Sequence, residues 1–189
     1  MTALRPAGPA DAEAIEAVRA AAWTTAYRGL APDSFLDRFG GDLTARRREL
    51  GEPGLVQLVA PVGGALAGWV AAGPARDHDL DAQSTGEIYA CYVRPQDWGR
   101  GVGRALLAAA LAALAGTGRG RVSLWVLRDN APARRFYALF DFRPDGREQL
   151  LDLDGPVWEV RCQRAGGGSP AERATGIDLG VAASPPPAT

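Results

Sequence analysis

Apolar residues near the start of the chain recur with the period of a helix. Ile15, Val18, Ala22 and Trp23 share one face, and Gly8-Pro9-Ala10-Asp11 before them puts Pro at the first helical position and Asp in the first turn. The spacing predicts a helix running to about Tyr27, with Gly29 breaking the pattern. Leu4-Arg5-Pro6 reads as the end of an earlier strand, and a second helical region follows Pro32 with Phe35, Leu36 and Phe39. The pattern then changes. Residues 55–60 and 65–72 are apolar runs flanking Pro61-Val62-Gly63-Gly64, which suits an antiparallel hairpin. A polar loop over 73–86 carries Asp77, His78, Asp79 and Asp81.

Residues 87–93 are aromatic and β-branched enough for a central strand, and Pro95 ends it by removing a ladder donor. Gly99, Gly101 and Gly103 precede a helix carrying Leu106, Leu107, Ala110, Leu111 and Leu114. A strand over 122–127, a helix over 130–139 with Pro132 in its first turn, and two strands near 142–151 and 157–162 complete the order. Strand, helices, hairpin, then strand-helix-strand-helix-strand-strand implies an α/β sandwich with a largely antiparallel sheet.

The 189 residues suit one core, expected over 1–164, with a Gly-, Pro- and Ala-rich flexible tail over 165–189. A net charge of −1 with scattered arginines gives no basic stripe for nucleic acid, and Arg46-Arg47-Arg48 reads as a solvated helix face. The longest apolar run, 105–115, is too short for a bilayer, and the first residues lack a secretory signal, so a cytoplasmic protein without a membrane partner is expected. Cys91 and Cys162 sit in strand-like runs with no metal-ligand spacing and read as buried thiols; no metal is expected.

Three glycines at alternate positions before a helix allow a tight turn that aims several N–H groups at one anion. The dinucleotide fingerprint fails by counting, since Arg104 or Leu106 stands where its third glycine belongs. An NTPase phosphate loop fails too, for no Gly-Lys-Ser/Thr ending exists there. A structural turn at the start of the helix and an anion site of another type both remain open.

The segment 87–107, with Trp98-Gly99-Arg100-Gly101-Val102-Gly103, resembles the acetyl-CoA signature Gln/Arg-x-x-Gly-x-Gly/Ala of the GNAT superfamily of N-acetyltransferases, with Trp98 in place of Gln or Arg. Asn130-x-x-Ala133-x-x-Phe136-Tyr137 followed by Phe140-Asp141-Phe142 is similar to the family's second motif, Asp141 standing where Gly is usual. The resemblance covers about Leu4 to Arg164. It implies a mixed, largely antiparallel sheet flanked by helices and splayed at the acyl-CoA site, and direct acetyl transfer from acetyl-CoA to an amine. By resemblance, Trp98, Gly99, Arg100, Gly101, Val102, Gly103, Arg104 and Asn130 hold acetyl-CoA, with the backbone of Cys91, Tyr92 and Val93 along the pantetheine. Tyr137 would be the proton donor to the thiolate: a phenol of pKa roughly 10 is protonated where a thiol of roughly 8.5 leaves. Glu87 would be the water-mediated base.

Strict alternation places Glu87, Tyr89, Cys91 and Val93 on one face. Tyr89, with Tyr27 and Arg28 at the end of the first helix, is a candidate for the acceptor pocket. The acidic residues of the 73–86 loop would favour a cationic acceptor. A noncatalytic acyl-CoA-binding module is the alternative function. Acceptor identity and oligomeric state are not readable.

Overall fold

The structure is a computed structural model that describes residues 3–38 and 40–166. Phe39 and the tail from 167 lie outside the described residues. Strand β1 (Arg5–Pro6) leads through a single turn at Pro9–Asp11 into α1 (Ala12–Ala26), followed by α2 (Asp33–Arg38) and α3 (Leu43–Glu49). The hairpin β2 (Val56–Val62) and β3 (Ala65–Pro74) precedes β4 (Thr85–Val93), α4 (Val102–Gly116), β5 (Arg121–Leu127), α5 (Ala131–Ala138), β6 (Arg143–Asp152) and β7 (Pro156–Arg164). The seven strands form one sheet in the order β1-β2-β3-β4-β5-β7-β6. Among the described strand pairs of this sheet, only β4 with β5 is parallel.

Each face of the sheet has its own core. On one, Leu106, Leu107, Ala110 and Leu114 of α4 and Phe136 of α5 pack against Val70, Ile88, Cys91, Val93, Leu124 and Val126. On the other, Ile15, Val18, Trp23 and Tyr27 of α1 pack against Val59, Trp69, Ala90, Tyr92 and Leu127. Gly68 lets α4 approach β3 closely, since a Cβ there would lie 2.8 Å from Leu106 Cδ1 and 2.9 Å from the Tyr92 carbonyl oxygen. The helix carrying Arg46 is less solvated than expected. Its guanidinium lies 4.6 Å from the Trp69 ring centroid and pairs with Glu16 of α1, while Arg47 and Arg48 are exposed.

Two irregularities of β4 shape the molecule. Ala71 lies opposite Ala90 but Ala72 opposite Ile88, so Tyr89 is an extra residue, a β-bulge. Strict alternation therefore fails. Ile88, Cys91 and Val93 face α4, whereas Tyr89, Ala90 and Tyr92 face α1, with Glu87 beside Tyr89 on that side by the pleat. The second irregularity is a parting of strands. β4 pairs with β5 only from Thr85 to Ile88; beyond that β4 stays with β3 as far as Val93, and β5 stays with β7 as far as Leu127. The edges 89–93 and 125–127 thus diverge, leaving the splay that the resemblance implies.

Candidate active site

The glycine turn sits at the mouth of this splay. Gly99 and Gly101 adopt φ of 77° and 80°, left-handed values that a Cβ makes costly. Gly101 caps α4, so the amides of Val102, Gly103 and Arg104 head a 15-residue helix with no earlier turn to accept from them. Donors and helix dipole together favour an anion there. Buried Asp97 braces the approach by accepting from Arg94 at 2.8 Å, and Arg100 approaches the same carboxylate at 3.7 Å.

Behind the turn, β4 has no pairing with β5 over 89–93, the stretch that carries Cys91, Tyr92 and Val93. Asn130 caps α5, its side-chain oxygen accepting from Ala133 N at 3.1 Å. The amide nitrogen of Asn130 and the hydroxyl of Tyr137 are buried and have no hydrogen-bond partner among the described residues. Burial pushes the Tyr137 phenol well above its usual pKa, and Cys91, Tyr27 and Tyr92 lie near enough to add to the rise. The hydroxyl therefore stays protonated at neutral pH.

On the α1 side, Glu87 is buried and fully engaged. Its Oε2 accepts from Arg76 N at 2.9 Å and its Oε1 from Arg76 Nη2 at 2.5 Å and Nε at 3.2 Å. Tyr89 donates to the Pro74 carbonyl at 2.5 Å beneath the Arg76 guanidinium, 4.1 Å from its ring centroid. Burial and the Glu87 charge push its phenol up to about 12. A carboxylate that sequence reasoning passed over completes the group. Glu159 of β7, opposite Leu127, is fully buried; Oε2 accepts from Gln149 Nε2 at 2.7 Å and Oε1 has no partner. Burial pushes it up to about 7 despite the Gln149 bond and Arg76, with Glu87 adding to the rise. The one signal in the sequence was an acidic residue set among apolar neighbours, Val157-Trp158-Glu159-Val160.

Residues 16–142, well over half of the 189, match the sequence profile of the acetyltransferase (GNAT) family. The chain belongs to this family. It is 36% identical over 86 residues to an uncharacterized N-acetyltransferase of Archaeoglobus fulgidus, covering 46% of this chain and 58% of that protein. It is 39% identical over 105 residues to a mycothiol acetyltransferase of Clavibacter michiganensis, covering 54% of this chain and 32% of that one. The chain thus spans little more than half, or less, of the length of these curated relatives. Among solved structures, yncA of Salmonella typhimurium with its cofactor acetyl-CoA superposes with a TM-score of 0.69 at 22% identity, covering 87% of this chain and 94% of that one.

The two departures from the GNAT patterns have local explanations. The Trp98 indole Nε1 donates to the Val93 carbonyl at 2.7 Å, so a ring ties the glycine turn to the strand end. Asp141 adopts φ of 66°, the left-handed conformation that Gly takes at such a helix end and that Asp tolerates better than most residues. Tyr27 is buried edge-on against Trp23 at 4.5 Å between ring centroids, whereas Arg28 is exposed and lines an open groove of about 540 Å³ with Pro32, Asp33 and Pro156.

The carboxylates of the acidic loop are engaged by neighbouring groups. Asp79 accepts from Arg161 at 2.7 and 2.9 Å, Asp77 accepts from the Trp125 indole at 3.1 Å and lies 3.2 Å from Arg161, and Asp81 accepts from Ser84 at 2.7 Å. His78 is exposed in that loop. Among the described residues no cluster of three or more metal-ligating side chains occurs, and no helix is long and apolar enough to cross a membrane.

Proposed function

We propose that this GNAT chain transfers the acetyl group of acetyl-CoA to a primary amine by direct attack, with donor and acceptor bound together. The observation that carries the reading is the buried Tyr137 hydroxyl, with no hydrogen-bond partner among the described residues, lying near Cys91 and Tyr92 where β4 has parted from β5. Acetyl-CoA fits the donors present. Its pyrophosphate suits the amides of Val102, Gly103 and Arg104 with Gly99, Arg100 and Gly101 shaping the turn, and its pantetheine suits the β4 edge and the Asn130 amide. The acetyl-CoA held by the Salmonella protein supports the same donor, and the name of the Clavibacter relative supports acetyl transfer.

Acetyl-CoA supplies a thioester whose carbonyl carbon takes a nitrogen lone pair and whose sulfur leaves with the bonding pair. Backbone amides at the β4 edge stabilise the charge that develops on the carbonyl oxygen. Tyr137 Oη, protonated at neutral pH, gives its proton to the departing sulfur and recovers one from the nitrogen. The acceptor enters on the α1 side by the groove beside Arg28; Tyr89 lines a separate small pocket with Arg19, Arg46 and Trp69.

Calorimetric binding of acetyl-CoA, run beside a thiol-release assay over a panel of primary amines, tests the proposal. Binding with release for at least one amine supports it. Binding without release for any amine favours a noncatalytic acyl-CoA-binding module, and no binding ends both readings.

A further inference from the structure

Glu159 is out of place on physical grounds. A carboxyl removed from water costs several kcal/mol unless a cation or several donors meet it, roughly the value of a whole buried apolar side chain. Here one oxygen has a single neutral donor, Gln149, and the other has none. The nearby cations are committed elsewhere. Arg76 spends its donors on Glu87, and Arg161, two residues along the same strand, is held by Asp79, Asp77 and Asp145. A strand meant only to pack would carry an apolar residue between Val157 and Arg161.

Its place in the fold is equally particular. Glu159 pairs with Leu127, the last residue of β5, past the point where β4 and β5 part. The chain leaves Leu127 through Arg128 and Asp129 to Asn130 and the helix that carries Tyr137. Glu159 also lies near enough to Tyr92 for its charge to raise that phenol. Tyr92 is thus within electrostatic reach of both the Tyr137 phenol and the Glu159 carboxyl, whose second oxygen is uncommitted. Glu87, by contrast, has both oxygens occupied by Arg76, one by its backbone amide and the other by its guanidinium.

Resting on the proposed amine acetylation, we infer that Glu159, and not Glu87, accepts the proton of the acceptor ammonium, through one bridging water, before attack. The balance is simple. The ammonium N–H bond breaks and leaves its pair on nitrogen, and the proton ends on Glu159 Oε1. The neutral amine forms the C–N bond as the C–S bond breaks. A second nitrogen proton replaces the one Tyr137 gives to sulfur, and Glu159 later returns its proton to solvent. The charged and titratable groups bearing on Glu159 are Glu87 and Tyr92 of β4 and Arg76 beyond β3, with Gln149 of β6 as hydrogen-bond donor; Arg161, two residues along its own strand, is paired with Asp79, Asp77 and Asp145.

The test uses the full chain, acetyl-CoA and a fixed panel of primary amines: alaninamide, a tripeptide, spermidine and kanamycin. The best wild-type amine should show kcat/KM rising through an inflection near pH 7, where Glu159 loses its proton. In Glu159→Gln that inflection should vanish and the rate at pH 7 should fall about 100-fold, with the deficit shrinking above about pH 9 as free amine forms unaided. Acetyl-CoA affinity should hold. Gln149→Leu, which leaves Glu159 in place but removes the donor to its charged form, should move the inflection upward by roughly half a pH unit or more. Parallel pH profiles in wild type and Glu159→Gln, or an inflection that Gln149→Leu leaves unmoved should the first variant fail to fold, would overturn the inference while amine acetylation stands. A wild type that binds acetyl-CoA but acetylates no amine of the panel would end the parent reading and this one with it.

Discussion

Arg76 grips both carboxylate oxygens of Glu87, one through its backbone amide at 2.9 Å and the other through its guanidinium at 2.5 Å, while the same guanidinium covers the Tyr89 ring. The start of the 75–84 loop is thereby pinned to the strand that bulges beside it. Glu87→Gln removes the charge from a buried site whose partner is itself part-exposed and can turn to water. We expect a loss of roughly 1–3 kcal/mol of stability, visible as a lower Tm, with acetyl-CoA affinity little changed. A variant with wild-type Tm and a kcat lowered a hundredfold would instead make Glu87 a participant in proton transfer.

Gly103 lies buried in the first turn of α4, where its amide is among those that head the helix. Gly103→Asp puts a carboxylate beside the proposed pyrophosphate, adding repulsion and bulk to one contact. Acetyl-CoA affinity measured by calorimetry should fall at least about tenfold, equivalent to roughly 1.4 kcal/mol. An unchanged Kd in the folded variant removes the anion-site assignment.

Tyr137→Phe deletes only a hydroxyl that has no hydrogen-bond partner in the structure. Removing an unsatisfied buried polar atom is neutral or stabilising, so Tm should hold or rise while kcat drops by roughly 10². Wild-type kcat where chemistry limits turnover would confine Tyr137 to packing beside Phe136 and Phe142.

Glu159 also predicts how stability varies with pH. Its pKa rises from 4.5 to about 7 on folding, so between those values the folded chain keeps a proton that the unfolded chain has released. Stability is therefore fully present below about pH 4.5 and declines as pH climbs through 7, by on the order of 3 kcal/mol in all. Glu159→Gln should be the more stable protein at pH 8, with the gap closing toward pH 5 in denaturant titrations. A gap that does not vary with pH would contradict the raised pKa.

Asp79→Asn weakens a bidentate bond to buried Arg161 rather than a field aimed at the acceptor. The arginine holds Asp79 below the usual carboxylate range, so its ionised form supports the fold at neutral pH and that support fades as acid protonates it. A lower Tm at pH 7 with unchanged acceptor KM is expected. A change confined to acceptor KM would restore the loop to cation steering.

The elements were legible because each announces itself locally: α1 by the 3.6-residue recurrence of Ile15, Val18, Ala22 and Trp23, the hairpin by Gly63-Gly64, α5 by Asn130 and Pro132. Gly101 was legible as a turn because little else tolerates its φ of 80°. The bulge at Tyr89 was not, since one unpaired residue is set by how two strands meet and leaves the apolar pattern of β4 intact. Arg46 looked solvated beside Arg47 and Arg48, yet Trp69, on a strand more than twenty residues later, draws it inward. Glu159 stayed hidden for a related reason. Its chemistry depends on what surrounds it, and Gln149, Arg76 and Glu87 arrive from three other segments.

The extra residue at Tyr89 gives β4 one residue of slack. Removing Tyr89 or Ala90 would straighten the strand, and the survivor of the pair alone would restore strict alternation, with Ile88, Cys91 and Val93 still toward α4 and Tyr92 still toward α1. What the strand would lose is that one side chain and the added local twist of a bulge. Removing a residue on either side of the pair would instead turn at least one side chain to the opposite face. A library of single-residue deletions should therefore find positions 89 and 90 more forgiving than their neighbours in β4.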